Sequence, residues 1–294
     1  MTLFVRSTPP RNLYDCVSEG SAAIVIQKYS SSFGLASRLL GEPVRTHVRN
    51  IYALVRVADE VADNPDPAFG AEPRATLLSW LHEDVRHALR TGYSANLVVH
   101  AFARTAAEVG VDDRLVAPFF ASMRMDLDTT SHTPESFARY VYGSAEVVGL
   151  MCLRAFLAAP DGPADRAAAY EALAPGARRL GAAFQKVNFL RDLADDHDVL
   201  RRDYFPGLVA DRFCDADRDR ILDDVDEDLA AADAVIPDLP PSSRRAVRAA
   251  HATFAELTCR LRRTSAAEIR RTRVRVPTPV KLRLAAGAIY GGRS

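Results

Sequence analysis

The stretch from Tyr52 to Asp63, YALVRVADEVAD, has a helical pattern and carries two acids four apart, Asp59 and Asp63. A helix turns about 100° per residue, so four residues return to within about 40° of the start. Tyr52, Arg56, Asp59 and Asp63 therefore share an arc of roughly 60°. A second stretch, Gln185 to Asp196, reads QKVNFLRDLADD. Its Gln185, Asn188, Asp192 and Asp196 stand at steps of three, four and four, again on one face. Read alone, either acid pair is the ordinary pattern of a solvated helix face. Two such pairs on helices that are otherwise apolar (Val57, Val61; Val187, Leu190) point instead to a site built inside a bundle. Mg2+ takes oxygen ligands, few of them carboxylates, and completes its shell with substrate phosphates. Two facing pairs are thus expected to hold two or three Mg2+ ions and, through them, a diphosphate, with the metal as Lewis acid.

These stretches have a wider resemblance. YALVRVADEVAD resembles the first aspartate-rich motif of the squalene and phytoene synthase family, and NFLRDLADDHDVLRRDYFP the second. YVYGSAEVVGLMCL is similar to the family's central helix and YSSSFGLASRLL to its amino-terminal one. The four motifs fall in the family's order between about residues 29 and 206, and their wording is most similar to bacterial phytoene synthases. The resemblance implies an isoprenoid-synthase-type helical bundle with Asp59, Asp63, Asp192 and Asp196 as metal ligands. It implies diphosphate contacts from Ser30, Ser32, Phe33, Arg56, Gln185, Asn188 and Arg202. Tyr52, Arg56, Tyr142 and Tyr204 are then the expected catalytic side chains, with Tyr142 near the reacting carbons. Three positions depart from the family's wording: Tyr29 stands where histidine is common, and Glu146 and Val147 where glycine and threonine are common.

The implied reaction joins two allylic prenyl diphosphates head to head through a cyclopropyl diphosphate. Two geranylgeranyl diphosphates would give phytoene without a reductant, so NADPH is not expected. Farnesyl diphosphate would give squalene or dehydrosqualene instead. Two readings of other classes stand beside these. A terpene cyclase usually carries a DDxxD cluster, which is absent here, and a non-catalytic scaffold relative should have lost acids that are all present.

Composition sets the frame. The chain has 294 residues, 48% of them hydrophobic, enough for one large core, and its 38 basic and 38 acidic residues cancel. That balance argues against a nucleic-acid partner whose affinity rests on neutralising phosphates. Strand-like alternation is scarce, so the expected fold is all-α, one helical domain over residues 1–294 with a central cavity. Cys16, Cys152, Cys214 and Cys259 form no CxxC, which disfavours disulfides and zinc and fits a reduced cytoplasm. The start, MTLFVRSTPPRN, lacks the apolar run of a signal peptide. The most apolar stretch, 141–159, is interrupted by Glu146 and Arg154 and reads as too short and too charged to span a bilayer.

The remaining elements follow from caps and breakers. Helices are expected over 13–27, 33–40, 75–90, 97–109, 116–127, 134–158, 167–196, 211–236, 242–263 and 280–290, besides the one holding Asp59. A surface loop is expected over 64–74, and a break at Pro175-Gly176. Asp126 and Asp128, two apart, read as a helix end, although family members carry a similar aspartate there. The face Tyr142, Gly143, Ala145, Gly149 and Met151 leaves room for a long apolar ligand or for close helix packing. The cluster Arg260 to Arg275 suggests peripheral contact with an anionic membrane, or a solvated face. No obligate protein partner is evident.

Overall fold

The computed structural model describes residues 11–30, 32–64, 66 and 68–290, leaving aside the side chains of Ser32, Phe33 and Tyr290. The helices are α1 (Leu13–Tyr29), α2 (Ser32–Ser37), α3 (Val44–Ala62), α4 (Ala71–Thr91), α5 (Leu97–Val109), α6 (Asp113–Asp128), α7 (Pro134–Val141), α8 (Val147–Leu157), α9 (Arg166–Asp198), α10 (Asp215–Asp233), α11 (Pro241–Arg263), α12 (Ala266–Ile269) and α13 (Thr278–Tyr290). Among the described residues the only extended pairing is an isolated bridge, Ser131 to Asp203.

Local chemistry starts and stops these helices where expected. Asn12 and Asp15 form a reciprocal capping box on α1, Asn96 caps α5, Thr133 caps α7 ahead of Pro134, and Asp165 caps α9. Gly92 and Gly110 close α4 and α5 at φ of 82° and 79°, a conformation that costs glycine little. Two boundaries correct the sequence reading. The loop after α3 is shorter than 64–74, because α4 begins at Ala71 and takes Pro73 into its first turn, where no intrahelical acceptor is needed. Pro175 does not break α9, which runs unbroken for 33 residues. Packing of α8, α10 and α11 along its length outweighs the one lost backbone bond.

α9 separates two large apolar clusters. One gathers α9, α10 and α11 around Leu190, Leu222 and Leu261; the other gathers α3 to α6 and α8 around Leu54, Phe102 and Phe120. α8 and α9 approach to backbone contact. A Cβ on Gly149 would lie 2.5 Å from the Ala177 carbonyl, and one on Gly181 would lie 2.6 Å from the Ala145 carbonyl. Only glycine fits at either position.

α7 and α8 form one continuous rod through a π-helical turn, Tyr142–Glu146. The rod Pro134–Leu157 is longer than the apolar stretch read from the sequence, and by length and composition it could cross a membrane. More than half of its most apolar window is buried within the fold, as befits a core helix. The π turn lets it press against α6: a Cβ on Gly143 would sit 2.2 Å from the Pro118 carbonyl, and Ser122 Oγ donates to the Tyr140 carbonyl at 3.0 Å. A π turn adds a residue to the helical repeat and so rotates the side chains on either side of it.

Candidate active site

The first acid pair sits at the end of α3. Asp59 is half-buried, and Asp63 is the residue that closes the helix, its N–H donating to the Asp59 carbonyl at 2.8 Å. One and two turns earlier on the same face stand Arg56 and Tyr52. Arg56 pairs with Glu60 and lies over the Tyr29 ring, 4.6 Å from its centre. The Tyr52 hydroxyl bonds Ser30 at the carboxy-terminal cap of α1. The aromatic at position 29 therefore gives Arg56 a stacking partner, which guanidinium takes readily.

The second pair lies on α9, and the two pairs face one cavity of about 950 Å³. α9 lines it chiefly with one stripe, Leu173, Gly176, Ala177, Leu180, Gly181, Phe184, Gln185, Asn188, Asp192 and Asp196, at the three-and-four spacing of one helix face, with Phe189 and Arg191 beside it. The stripe is apolar up to Phe184 and polar from Gln185 onward. Val48, Ile51 and Val55 of α3, with Val148 and Phe156 of α8 and Val247 of α11, enclose the apolar end. The cavity is thus amphipathic along its length, with carboxylates at one end and hydrocarbon at the other.

A buried network ties the two acidic stretches together. Asp126, 8% exposed at the end of α6, accepts hydrogen bonds from the Tyr140 hydroxyl at 2.8 Å and the Tyr204 hydroxyl at 3.1 Å. Arg202, 5% exposed, stands 3.6 Å from Asp126 and donates to Asp63 at 2.6 Å and to the Ala62 carbonyl at 3.1 Å. Its backbone N–H donates to the Asp196 carbonyl at 2.9 Å. The turn after α9 therefore fastens the end of one acidic helix to the end of the other. Asp126 is its anchor, in the last turn of α6, the helix end read from the sequence.

Around Asp59, Asp126 and Asp196, burial and like charge outweigh the cations nearby. Burial, then Asp63, pushes Asp59 well above the usual carboxylate range. Burial, then Asp192 and Asp63, pushes Asp196 up to about 8. Burial raises Asp126 to about 7, Asp63 adding to it and Arg202 opposing it. Desolvation and like charge win over the single buried arginine, the condition that a bound cation relieves. Among the described residues no three His, Cys, Asp or Glu side chains stand close enough to hold an ion unaided. Acid oxygens offered in ones and twos suit Mg2+, which keeps several waters and fills its shell from phosphate.

Most of the residues singled out in the sequence meet at this cavity: Ser30, Tyr52, Arg56, Asp59, Asp63, Gln185, Asn188, Asp192, Asp196 and Tyr204 all line it. The side chains of Ser32 and Phe33 lie outside the described residues. Two placements are corrected. Tyr142 does not line the cavity; it turns outward, with the Arg178 guanidinium over its ring at 5.2 Å. Two residues along a helix is roughly 200° of rotation, so the tyrosine that faces inward is Tyr140. Of the expected small-residue face, Ala145 and Gly149 line the cavity, whereas Gly143 packs on α6 and Met151 lies in the core. Arg202 does not line the cavity either; its guanidinium donates to Asp63, the Ala62 carbonyl and Tyr204.

Besides Arg56, cations come from Arg191 and Lys281, which sequence reasoning passed over, and from Arg273 and Arg275, which it read as part of a membrane-facing or solvated basic cluster. Arg191 and Arg273 grip Asp192 at 2.5 and 2.7 Å, and Arg275 and Lys281 line the cavity beside them. Tyr140, Ser144 and Val148 at steps of four were the available sign of the inward face of the α7–α8 rod. Nothing local marks Arg273, which comes from 81 residues beyond its partner.

Comparison with known proteins agrees with this geometry. A phytoene synthase from Pseudescherichia vulneris is 26% identical over 249 residues, covering 78% of this chain and 77% of its own. A 15-cis-phytoene synthase from Paracoccus sp. is 27% identical over 257 residues, covering 81% and 80%. Among solved structures, a dehydrosqualene synthase in complex with ligand superposes with a TM-score of 0.77 at 18% identity, covering 95% of this chain and 98% of its own. A squalene synthase from Alicyclobacillus acidocaldarius gives 0.72 at 17%, covering 86% and 96%. At such identities the two structures speak for the fold, an all-α isoprenoid synthase bundle. The sequence pattern of squalene/phytoene synthase matches residues 26–279, from the end of α1 into α13. With its two acidic helices facing one amphipathic cavity, the chain belongs to the squalene/phytoene synthase family of prenyltransferases.

Proposed function

We propose that this chain condenses two geranylgeranyl diphosphates head to head to phytoene. The observation that carries the reading is the length of the apolar stripe on α9. Gln185, the first polar residue, and Leu173, the last lining residue, are twelve apart, about 18 Å at the helical rise. A twenty-carbon prenyl tail has sixteen carbons in its main chain and spans roughly 18 Å at the ~1.2 Å per bond of an extended chain. A fifteen-carbon tail spans roughly 13 Å on the same scale and leaves the far end unfilled. Names of relatives point the same way, since the phytoene synthases match over most of the chain.

In this reading Asp59 and Asp63 hold Mg2+ on one side and Asp192 and Asp196 on the other, with Gln185 and Asn188 orienting waters or phosphate oxygens. Bound Mg2+ supplies Lewis-acid neutralisation of the departing diphosphate. The side chains do the rest. Arg56, Arg191, Arg273, Arg275 and Lys281 line the cavity and take diphosphate charge. Arg202, held by Asp126, keeps Asp63 in place. The apolar end seats both tails with their first carbons near Tyr140 and Tyr204.

Loss of one diphosphate leaves an allylic cation. The double bond of the second substrate attacks it, and a proton leaves to close the cyclopropyl ring. Loss of the second diphosphate, rearrangement and loss of another proton give the conjugated triene. Both protons can be taken by released diphosphate, so no strong protein base is needed. The apolar walls keep water from quenching the cations.

The test is an incubation of purified protein with Mg2+ and either geranylgeranyl or farnesyl diphosphate, with and without NADPH, followed by analysis of extracted hydrocarbons. A forty-carbon triene formed without NADPH is the expected result. A thirty-carbon product alone would overturn the chain-length assignment, and no hydrocarbon from either substrate would overturn the whole reading.

A further inference from the structure

Tyr29 departs from the family's wording, and the reaction proposed above gives it no task. It is the last residue of α1 and lines the cavity beside Ser30, Tyr52 and Arg56. At 51% exposure it does not serve to fill the core. What it touches is Arg56, whose guanidinium lies over the ring 4.6 Å from its centre. The neighbouring backbone is fixed from two sides. The Ser30 N–H donates to the Ile26 carbonyl at 3.1 Å, and the Tyr52 hydroxyl of α3 bonds the Ser30 side chain. Arg56 has two acids in reach on its own helix, Asp59 three residues on and Glu60 four on, both at spacings that let side chains meet. Its ion pair is with Glu60 and not with Asp59. A half-exposed pair of that kind is weak and does not hold a long side chain by itself. Glu60 at one edge and the Tyr29 ring at one face fix the guanidinium together. Among the described residues only its Nη2 is hydrogen-bonded, and Nε has no partner, so donor capacity remains for a ligand.

We propose that Tyr29 is a positioning residue for the substrate diphosphate. Its ring holds the Arg56 guanidinium in the cavity wall and away from Asp59. Two consequences follow for the site. Arg56 presents its remaining donors to phosphate oxygens, and the Asp59 carboxylate stays open to Mg2+. Without the ring, Arg56 has Asp59 as an alternative partner one turn along α3, and an arginine on that carboxylate competes with the ion. Guanidinium is planar and weakly hydrated, so it stacks on an aromatic face without losing its in-plane donors. The ring is what matters here, and its hydroxyl is not. The inference rests on the proposed reaction in one respect, that the ligand carries a diphosphate.

The experiment is calorimetric titration of the full chain with inorganic diphosphate in excess Mg2+, so that no carbon chemistry enters. Tyr29→Ala should weaken binding roughly fivefold, the scale of one partly exposed cation on a ring. Tyr29→Phe, which keeps the ring, should bind within about twofold of the wild type. In an Arg56→Ala background, Tyr29→Ala should change binding by less than about twofold, because its effect passes through Arg56. Tyr29→Ala binding as the wild type does, Tyr29→Phe binding as weakly as Tyr29→Ala, or an equal loss with and without Arg56 would overturn the proposal. So would a wild type with no measurable affinity for Mg2+-diphosphate. The expected pattern of binding in a protein that makes no hydrocarbon from either prenyl diphosphate would support this proposal and overturn the catalytic one.

Discussion

Replacing Asp126 by Asn keeps the shape of the anchor and removes its charge, which makes the charge itself measurable. Burial and Asp63 raise the Asp126 carboxyl to about 7, against an ordinary value of 3.8. Between those two values the folded protein holds a proton that the unfolded chain has released. Stability from this group is therefore present at low pH and is lost as pH rises through 7. From pH 5 to pH 8 the loss is about 3 kcal/mol if nothing relaxes, at about 1.4 kcal/mol per pKa unit. For 294 residues unfolding at about 2.1 cal/mol/K each, that is roughly 4–5 °C in melting temperature. Asn cannot titrate, so Asp126→Asn should show a pH dependence shallower by that amount, the remainder coming from Asp59 and Asp196. Asp126→Ala behaves differently. It strands the Tyr140 and Tyr204 hydroxyls and weakens the pairing of a buried Arg202, so it should cost about 3–5 kcal/mol near neutral pH. Melting curves of the three proteins from pH 5 to pH 8, without divalent cations, decide the matter. Parallel curves for the wild type and Asp126→Asn would refute the claim that this carboxyl is buried short of positive charge.

Other expectations follow from the same geometry. Asp59→Ala or Asp192→Ala should reduce turnover by several orders of magnitude with the helical circular-dichroism signal intact; normal activity in either would sink the metal assignment. Tyr140→Phe, which breaks a 2.8 Å bond to Asp126, should lower turnover clearly more than Tyr142→Phe, which removes a hydroxyl from a ring outside the cavity; steady-state kinetics of the pair show which tyrosine serves the site. Gly143→Ala forces a methyl to within 2.2 Å of the Pro118 carbonyl and should destabilise by about 1–3 kcal/mol or more in urea unfolding, because that carbonyl has nowhere to go. Mg2+ with inorganic diphosphate should raise the melting temperature more at pH 8 than at pH 5, since Asp59 and Asp196 must lose protons to ligate.

Periodic features of this chain were open to reading before any coordinates. Both acid pairs lie on helix faces, and three-and-four spacing is enough to show that Asp59 joins Asp63 and that Asp192 joins Asp196. The cap at Thr133 ahead of Pro134 placed its helix for the same local reason. Tyr142 was misplaced although the spacing around it was legible. Its neighbour Tyr140 starts the run Tyr140, Ser144, Val148 that faces the cavity, and the π turn at Tyr142–Glu146 then advances the register so that Ala145 and Gly149 face it too. A five-residue step has no signature in a pattern of apolar residues at three and four.

What stayed hidden are the partners that arrive from far along the chain. Arg202 reaches Asp63 across 139 positions, and Tyr204 reaches Asp126 across 78. Propensity and capping act within a few residues and cannot specify such pairs; only the packing of α6, α9 and the turn after it does. The cost of that packing explains its form. A buried arginine between two carboxylates is worth keeping only if the geometry must be fixed, because an apolar filling of the same volume is often at least as stable. Here the fixed geometry is the spacing of the two acidic helix ends, with Arg202 bonded through its side chain to one and through its backbone to the other. In the proposed mechanism the two helices share ions and a diphosphate, and so cannot slide past one another. On this argument an Arg202→Met variant, which leaves the buried Asp126 carboxyl without its cation, should lose about 3–5 kcal/mol in urea and bind Mg2+-diphosphate at least about tenfold more weakly on calorimetry, a 1.4 kcal/mol loss. If it bound as tightly as the wild type, the network would be packing and nothing more.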